Sequence, residues 1–265
     1  MRFSISMFLL MAFAWIFSFG SEAEINPEAI VLALPFDEGA GNEAKDASPS
    51  GNNLLLVEEA KWDEGNIGKC VRLKKTAHLE TEMPNLELHN TDLTLAMWVN
   101  FSAEPGWVAL MSHDIGAGLN HEKWAWWLQS GTFVFHINDG LEKREWVRSD
   151  FFGAPELNRW YHLAFIKQKD LHTHYVDGEP FGGDEKNAPV PEVIEGPFSI
   201  GATGDRYYFQ GLMDEALVVK QALTPNDIQR HLAGGVARIL AVEPGGKLAT
   251  QWSRLKTGAN FPYSQ

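Results

Sequence analysis

Phe209-Gln210-Gly211-Leu212-Met213-Asp214-Glu215-Ala216-Leu217-Val218-Val219-Lys220, followed after Gln221 by Ala222-Leu223-Thr224-Pro225-Asn226-Asp227-Ile228, decides how the rest of the chain is read. An aromatic residue, a glycine and then an acidic pair inside an apolar run predict a late β-strand. The acids interrupt it where carboxylate oxygens are needed. The Thr-Pro-x-Asp step predicts a helix start, with Thr224 as N-cap, Pro225 in the first position and Asp227 closing the cap. Ile228 and Leu232 share one face of that helix, and Gly234-Gly235 is its expected stop.

Working outward, the stretch from Asp92 alternates strictly. Leu93, Leu95, Met97, Val99 and Phe101 fall on one face and Thr94, Ala96, Trp98 and Asn100 on the other, the period of a half-buried strand. Similar runs recur at 107–111, 124–128, 132–138, 161–167, 172–176, 197–200 and 211–219. Upstream, Ile30-Val31-Leu32-Ala33-Leu34, Leu54-Leu55-Leu56-Val57 and Cys70-Val71-Arg72-Leu73 read as strands, separated by loops rich in Gly, Asn and Asp. Trp62 to Lys69 reads as a turn, and Asp177-Gly178 as a tight hairpin. Many short strands and one short C-terminal helix give an all-β antiparallel jelly-roll sandwich rather than a βαβ fold. No internal repeat or linker divides the chain.

The totals bound the class. Met1-Arg2, an apolar run from Met7 to Phe19 and Ser21-Glu22-Ala23 read as a signal peptide over 1–23, the run being shorter than the roughly 20 residues that cross a bilayer. The expected organisation is a jelly roll over 24–235 and a tail over 236–265 lying on or trailing from it, and nothing after the leader is apolar enough to span a membrane. Removing the leader takes one base and one acid, so the net charge stays at −13, which repels phosphate backbones and disfavours nucleic acid as a partner. The one cysteine, Cys70, has no internal partner and sits in an apolar pattern, where a small buried residue is expected.

Six segments in order carry a family resemblance: Leu34-Pro35-Phe36-Asp37-Glu38-Gly39, Gly65-Asn66-Ile67-Gly68-Lys69, Leu93-Thr94-Leu95-Ala96-Met97-Trp98-Val99, Asn158-Arg159-Trp160-Tyr161-His162-Leu163-Ala164, Tyr175-Val176-Asp177-Gly178 and Gly211-Leu212-Met213-Asp214-Glu215. Together they resemble the laminin G-like, concanavalin A-like jelly-roll family. The resemblance implies two curved antiparallel sheets, placement outside the cell or in its envelope (the periplasm included), frequent calcium, and binding of carbohydrate or of a surface or matrix protein. It also implies that Asp37 and Asp214 would supply carboxylates to a structural calcium ion. Carbonyls near Gly39 and Gly41, or the side chain of Asp46, would complete the shell. The alternative is that these acids are ordinary turn and surface residues.

Two further constellations carry candidate chemistry. On the strand at 124–128, Trp124, Trp126 and Leu128 share one side and Trp127 the other, so both faces bear indole. One set fills the core and the other is a candidate sugar-stacking surface. We expect Trp124 and Trp126 to be the binding set, with Asp114, Asn120, Glu122 and Asn138 as polar neighbours and Tyr207 and Tyr208 extending the surface. The alternative is that all these rings pack the sandwich. His113-Asp114 and His121-Glu122 have no zinc spacing, and His172 and His174 are expected at a solvated edge. A glycoside hydrolase of this fold needs paired carboxyls across a groove. Asp214 and Glu215 are neighbours on one strand, so no such pair is evident and no catalytic residue is assigned. The expectation is therefore a secreted, non-catalytic binding module. A divergent hydrolase and a structural cell-envelope adhesion module are the alternatives.

Overall fold

The structure is a computed structural model that describes residues 25–82, 84–115, 121–141 and 143–241. The expected leader, Asn120 and the tail beyond Ala241 lie outside the described residues. In chain order the strands are β1 (Ile30–Leu34), β2 (Glu43–Ala44), β3 (Leu54–Val57), β4 (Lys61–Glu64), β5 (Lys69–Leu73), β6 (His78–Thr81), β7 (Leu93–Phe101) and β8 (Trp107–His113). They continue with β9 (Glu122–Gln129), β10 (Thr132–Asp139), β11 (Arg144–Phe151), β12 (Trp160–Gln168), β13 (Leu171–Val176), β14 (Glu179–Glu185), β15 (Phe198–Ile200) and β16 (Gly211–Val219), before helix α1 (Pro225–Leu240).

These strands form two sheets. The first runs β14-β13-β12-β7-β16-β5-β4, with β1 also paired to β16, and the second runs β11-β10-β9-β8-β15-β6-β3-β2. The main core lies between them and is built from inward residues such as Leu95, Met97, Trp124, Trp126, Phe135, Phe165 and Phe198. The alternation read in the sequence is thus the jelly-roll sandwich observed.

Strand β7 departs from the expectation of half burial. Its second face, Thr94, Ala96 and Asn100, is also buried. A second apolar cluster explains this: Ala96, Ala164, Leu217 and Val219 of the first sheet are covered by Ile25 and Ala29 before β1 and by Ile228, Val236, Ile239 and Leu240 of α1. Asn100-Phe101-Ser102 fits an N-glycosylation sequon, but Asn100 is 8 % exposed and offers no accessible acceptor.

Helix α1 begins where the sequence places it. The Thr224 hydroxyl accepts the Asp227 N–H and the Asp227 carboxylate accepts the Thr224 N–H, a capping box. It does not stop at Gly234-Gly235. The two glycines form a kink, with Gly235 at φ 60°, and the helix resumes to Leu240. Two causes act together. Glu215 accepts the N–H of Val236 at 2.7 Å, capping the second segment. Burial of Val236, Ile239 and Leu240 contributes roughly 1.5–3 kcal/mol per side chain before entropy is charged.

Strands β2, β4, β6, β11 and β14 escaped the sequence reading: β2 and the interior β6 are only two and four residues long, and the polar β4, β11 and β14 lie at sheet edges. Each of these last three presents mostly half-exposed or exposed residues. An edge strand has little buried face, and polar edges guard against unwanted pairing, so the two-residue period is weak there.

Candidate functional site

The acidic pair sits at a switch in strand pairing. The first part of β16 pairs with β5 up to Met213↔Val71, and its second part pairs with β1 from Ala216↔Leu34. Asp214 and Glu215 fall in the gap, where the register against β7 also slips and Glu215 takes φ 53°. The 64–69 loop leads into β5 and folds over Asp214. Its carboxylate Oδ2 accepts N–H groups from Asn66 (2.9 Å) and Ile67 (3.0 Å). Asp37, three residues past β1, accepts the N–H of Lys69 at 2.9 Å. Glycine is required in this loop: a Cβ on Gly65 would lie 2.7 Å from Asp214 Oδ2, and one on Gly68 2.1 Å from Asp37 Oδ1.

Asp214 is fully buried, and its second oxygen, Oδ1, has no hydrogen-bond partner among the described residues. Burial, with the Asp37 charge adding to it, pushes the Asp214 carboxyl up to about 7. An orphaned carboxylate oxygen beside a second carboxylate suits a hard cation, which takes oxygen ligands. Asp37 and Asp214 therefore fit the calcium expectation. Asp46 does not: its oxygens accept hydrogen bonds from the N–H groups of Ala33, Ser48 and Asn52 and from the Ser48 hydroxyl, so it organises its own loop. The Gly41 carbonyl accepts the Trp62 indole N–H at 2.9 Å, which ties the 35–47 loop to β4.

The aromatic surface lies on the side of β9 opposite to the expected one. Trp124 and Trp126 are 0 % and 1 % exposed. They point between the sheets, where Trp124 packs 5.9 Å from Phe198 and 6.0 Å from Phe135. They are core residues, because three of their four cross-strand partners, Met111 on β8 and Phe135 and Ile137 on β10, are buried apolar side chains, the fourth being the buried His113. Trp127 points outward and joins the rings that cover the outer face of the second sheet. Trp107 lies 6.1 Å from Trp127 and 5.3 Å from Tyr207, and Trp146 lies 5.6 Å from Trp127. His136 stacks between, 5.5 Å from Trp127 and 4.0 Å from Trp146.

Local structure holds these rings. The carbonyl of Tyr207 accepts the N–H of Ala109 at 2.7 Å, which extends the ladder beside β8 and brings the tyrosine over the sheet. The His136 Nδ1 meets the Glu145 carbonyl at 2.9 Å and must donate to it, so Nε2 is the acceptor in the neutral ring. Burial keeps that ring neutral by lowering its pKa to about 4. The indole N–H of Trp127 finds no acceptor among the described residues.

Asp114 and Asn138 share this face but are committed to protein contacts. Asp114 Oδ1 lies 2.7 Å from His121 Nε2, and its other oxygen is 3.5 Å from Lys123 Nζ. Asn138 accepts the N–H of Gly140 at 2.9 Å and shapes the hairpin. Tyr208 turns away and packs 5.8 Å from His78. The sequence reading missed Trp107, His136 and Trp146. The signal for Trp146 was present, since Trp146 and Arg148 alternate with buried Val147, but it stood in a polar edge strand.

Of the remaining titratable groups, His162 Nε2 lies 2.7 Å from His231 Nδ1, wholly buried under α1. His172 and His174 are each 1 % exposed, not at a solvated edge, because their strand face packs on Phe165 inside the sandwich. Among the described residues no group of three His, Cys, Asp or Glu side chains converges as a metal site. Cys70 is buried as expected.

Comparison with known proteins bears on this geometry. A laminin G family model, described as concanavalin A-like lectin/glucanases superfamily, matches residues 73–229. No curated protein matches the sequence. Among solved structures, domain 4 of AbnA, a GH43 extracellular arabinanase from Geobacillus stearothermophilus, in complex with arabinotriose, is similar with a TM-score of 0.63 and 17 % identity, covering 77 % of this chain and 98 % of that one. The binding domain of Paraclostridial Mosquitocidal Protein 1 is similar with a TM-score of 0.60 and 16 % identity over 78 % of this chain. The binding domain of botulinum neurotoxin DC in complex with SialylT gives 0.57 and 9 % over 78 %. The chain spans about half the length of these two toxin domains, 52 % of each. At these identities the likeness is one of fold.

Proposed function

Because the chain belongs to a laminin G family of the concanavalin A-like lectin/glucanases superfamily, we propose that it is a non-catalytic binding module acting outside the cytoplasm, with a carbohydrate held on the outer face of its second sheet. The observation that carries this reading is the cluster of Tyr207, Trp107, Trp127, His136 and Trp146, gathered on the sheet face that α1 does not cover. Trp107 remains 40 % exposed. Aromatic rings stack on the apolar faces of sugars, and Trp107, Tyr207 and Trp146 are the rings of this cluster that remain accessible. Similar domains whose names record arabinotriose or SialylT give the reading further support.

Asp37 and Asp214 would hold a structural calcium ion. The ion's chemistry there is charge neutralisation: it would satisfy Asp214 Oδ1 and tie the end of β1 to β16. Within this reading Asp37 and Asp214 position backbone, and neither faces the aromatic surface as a catalytic acid.

The test is retention of the protein on a panel of neutral and acidic polysaccharides, with the Trp107→Ala, Tyr207→Ala double variant alongside. We expect binding by the parent chain and its loss in a variant that melts within a few degrees of it. Equal retention of parent and variant would refute this surface. Silence across the panel would point to a protein partner instead.

A further inference from the structure

A cleft opens where the chain crosses between the sheets. Residues 84–88 pass from β6 of the second sheet to β7 of the first, and residues 190–194 pass back from β14 to β15. Between these segments lies a space of about 260 Å³, with Trp124 and His113 at its base. Its walls are apolar: Leu86, Leu88 and Val190 are buried, and Ile194 packs against the main core. At the roughly 30 Å³ that one water occupies in the liquid, the space holds about nine heavy atoms.

Hydrogen bonds fasten both walls. The His89 Nδ1 lies 2.8 Å from the Val190 carbonyl and donates to it, which joins one wall to the other. The Asn52 amide accepts the N–H of Asn85 at 2.7 Å and donates to its carbonyl at 3.1 Å. His113 Nε2 donates to the Gly196 carbonyl at 3.1 Å. Burial lowers the His113 pKa to about 4, so the base of the cleft carries no imidazolium near neutral pH.

The rim bears charge of one sign. Residues 82–92 and 187–197 include Glu82, Glu87, Asp92, Glu192 and Glu195, and no Lys or Arg. Of the two acids that line the cleft, Glu87 pairs with Lys220 at 3.4 Å, whereas Glu192 is exposed and meets no cation among the described residues. An apolar interior with a carboxylate at its mouth complements a molecule that has an apolar body and a cationic head. An anion would be repelled there, and a bare ammonium would bury no hydrocarbon.

We propose that this cleft binds a small apolar amine, its hydrocarbon held between residues 84–88 and 190–194 and its ammonium group at Glu192. The site goes beyond the carbohydrate reading and does not rest on it, because Trp124 lies on the inner side of β9 and the aromatic surface on the outer side.

The experiment is titration of the intact protein with 2-phenylethylamine, followed through the methyl NMR signals of Val190, Val193 and Ile194. It is run at about pH 7.5 and low salt, where exposed charges are little screened. Ethylamine serves as the cation without an apolar body, and 2-phenylethanol and phenylacetate as the neutral and anionic contrasts. The expected result is a saturable shift of these methyls, with 2-phenylethylamine binding at least about tenfold more tightly than ethylamine and about three- to fivefold more tightly than 2-phenylethanol. Glu192→Gln should abolish the preference for amine over alcohol, and Glu192→Lys should turn it in favour of phenylacetate. Both variants should melt within a few degrees of the parent, since Glu192 is exposed. Shifts that do not saturate, or that appear only in the aromatic surface, would overturn the site. Equal affinity for amine and alcohol, or an amine affinity unchanged in Glu192→Gln, would overturn the cationic ligand.

Discussion

Acidification should weaken the seam between α1 and the first sheet through its buried histidine pair. His162 Nε2 and His231 Nδ1 are 2.7 Å apart, with the edge of Trp98 against His162. Burial lowers the pKa of His231 to about 4, and burial with the neighbouring imidazole lowers that of His162. Of the charged groups nearby, the Glu215 carboxylate accepts the main-chain N–H of Val236 while its main-chain carbonyl faces His231, and Asp177 accepts the main-chain N–H of His162 and pairs with Arg159. A depressed folded pKa means that the unfolded chain binds the proton more tightly. The stability is therefore complete above the ordinary histidine pKa near 6.5 and is lost as pH falls through that value towards 4. For His231 alone the loss is about 2 kcal/mol by about pH 5 and approaches about 3 kcal/mol below pH 4. Asp214, raised to about 7, acts with the opposite sign, so the measurement is a difference between the protein and its His231→Gln variant. Urea unfolding of both, at fixed calcium between about pH 7.5 and about pH 5, gives that difference. At the higher pH the variant should be less stable by about 1–3 kcal/mol, because His162 loses its partner. By the lower pH the gap should shrink by about 2 kcal/mol. Parallel curves, with a gap independent of pH, would refute the argument.

Two other outcomes separate core from surface and test the ion. Trp124→Ala should cost about 3–5 kcal/mol and lower the melting temperature by roughly 6–20 °C at about 2–4 °C per kcal/mol; a calorimetric scan showing less than a degree of change would mean that Trp124 is not core. Calcium at about ten times its dissociation constant should stabilise the protein by about 1.4 kcal/mol, reversed by chelator. In Asp37→Asn that response should disappear, and an unchanged response would remove Asp37 from the site.

Architecture was legible where burial is one-sided or complete. The alternation of β7, the Phe209–Lys220 stretch and the Thr224-Pro225 helix start all stand in the structure, because side-chain periodicity and capping are local properties. The edge strands β4, β11 and β14 were not legible, since little burial imposes a pattern on them. The sequence also determined that β9 carries indole on both faces, and the family resemblance implied that Asp37, just beyond the first strand, comes near Asp214 of the last. Only the tertiary structure decided which indole is which. The second sheet's inner face closes on Trp124 and Trp126, and its outer face gathers Trp127 with Trp107, His136, Trp146 and Tyr207 from segments up to a hundred residues apart. Alternation fixes that two side chains oppose one another, but it carries no label for inside. That label comes from the partner sheet that covers one face, and pairing of distant strands is a property of the whole chain.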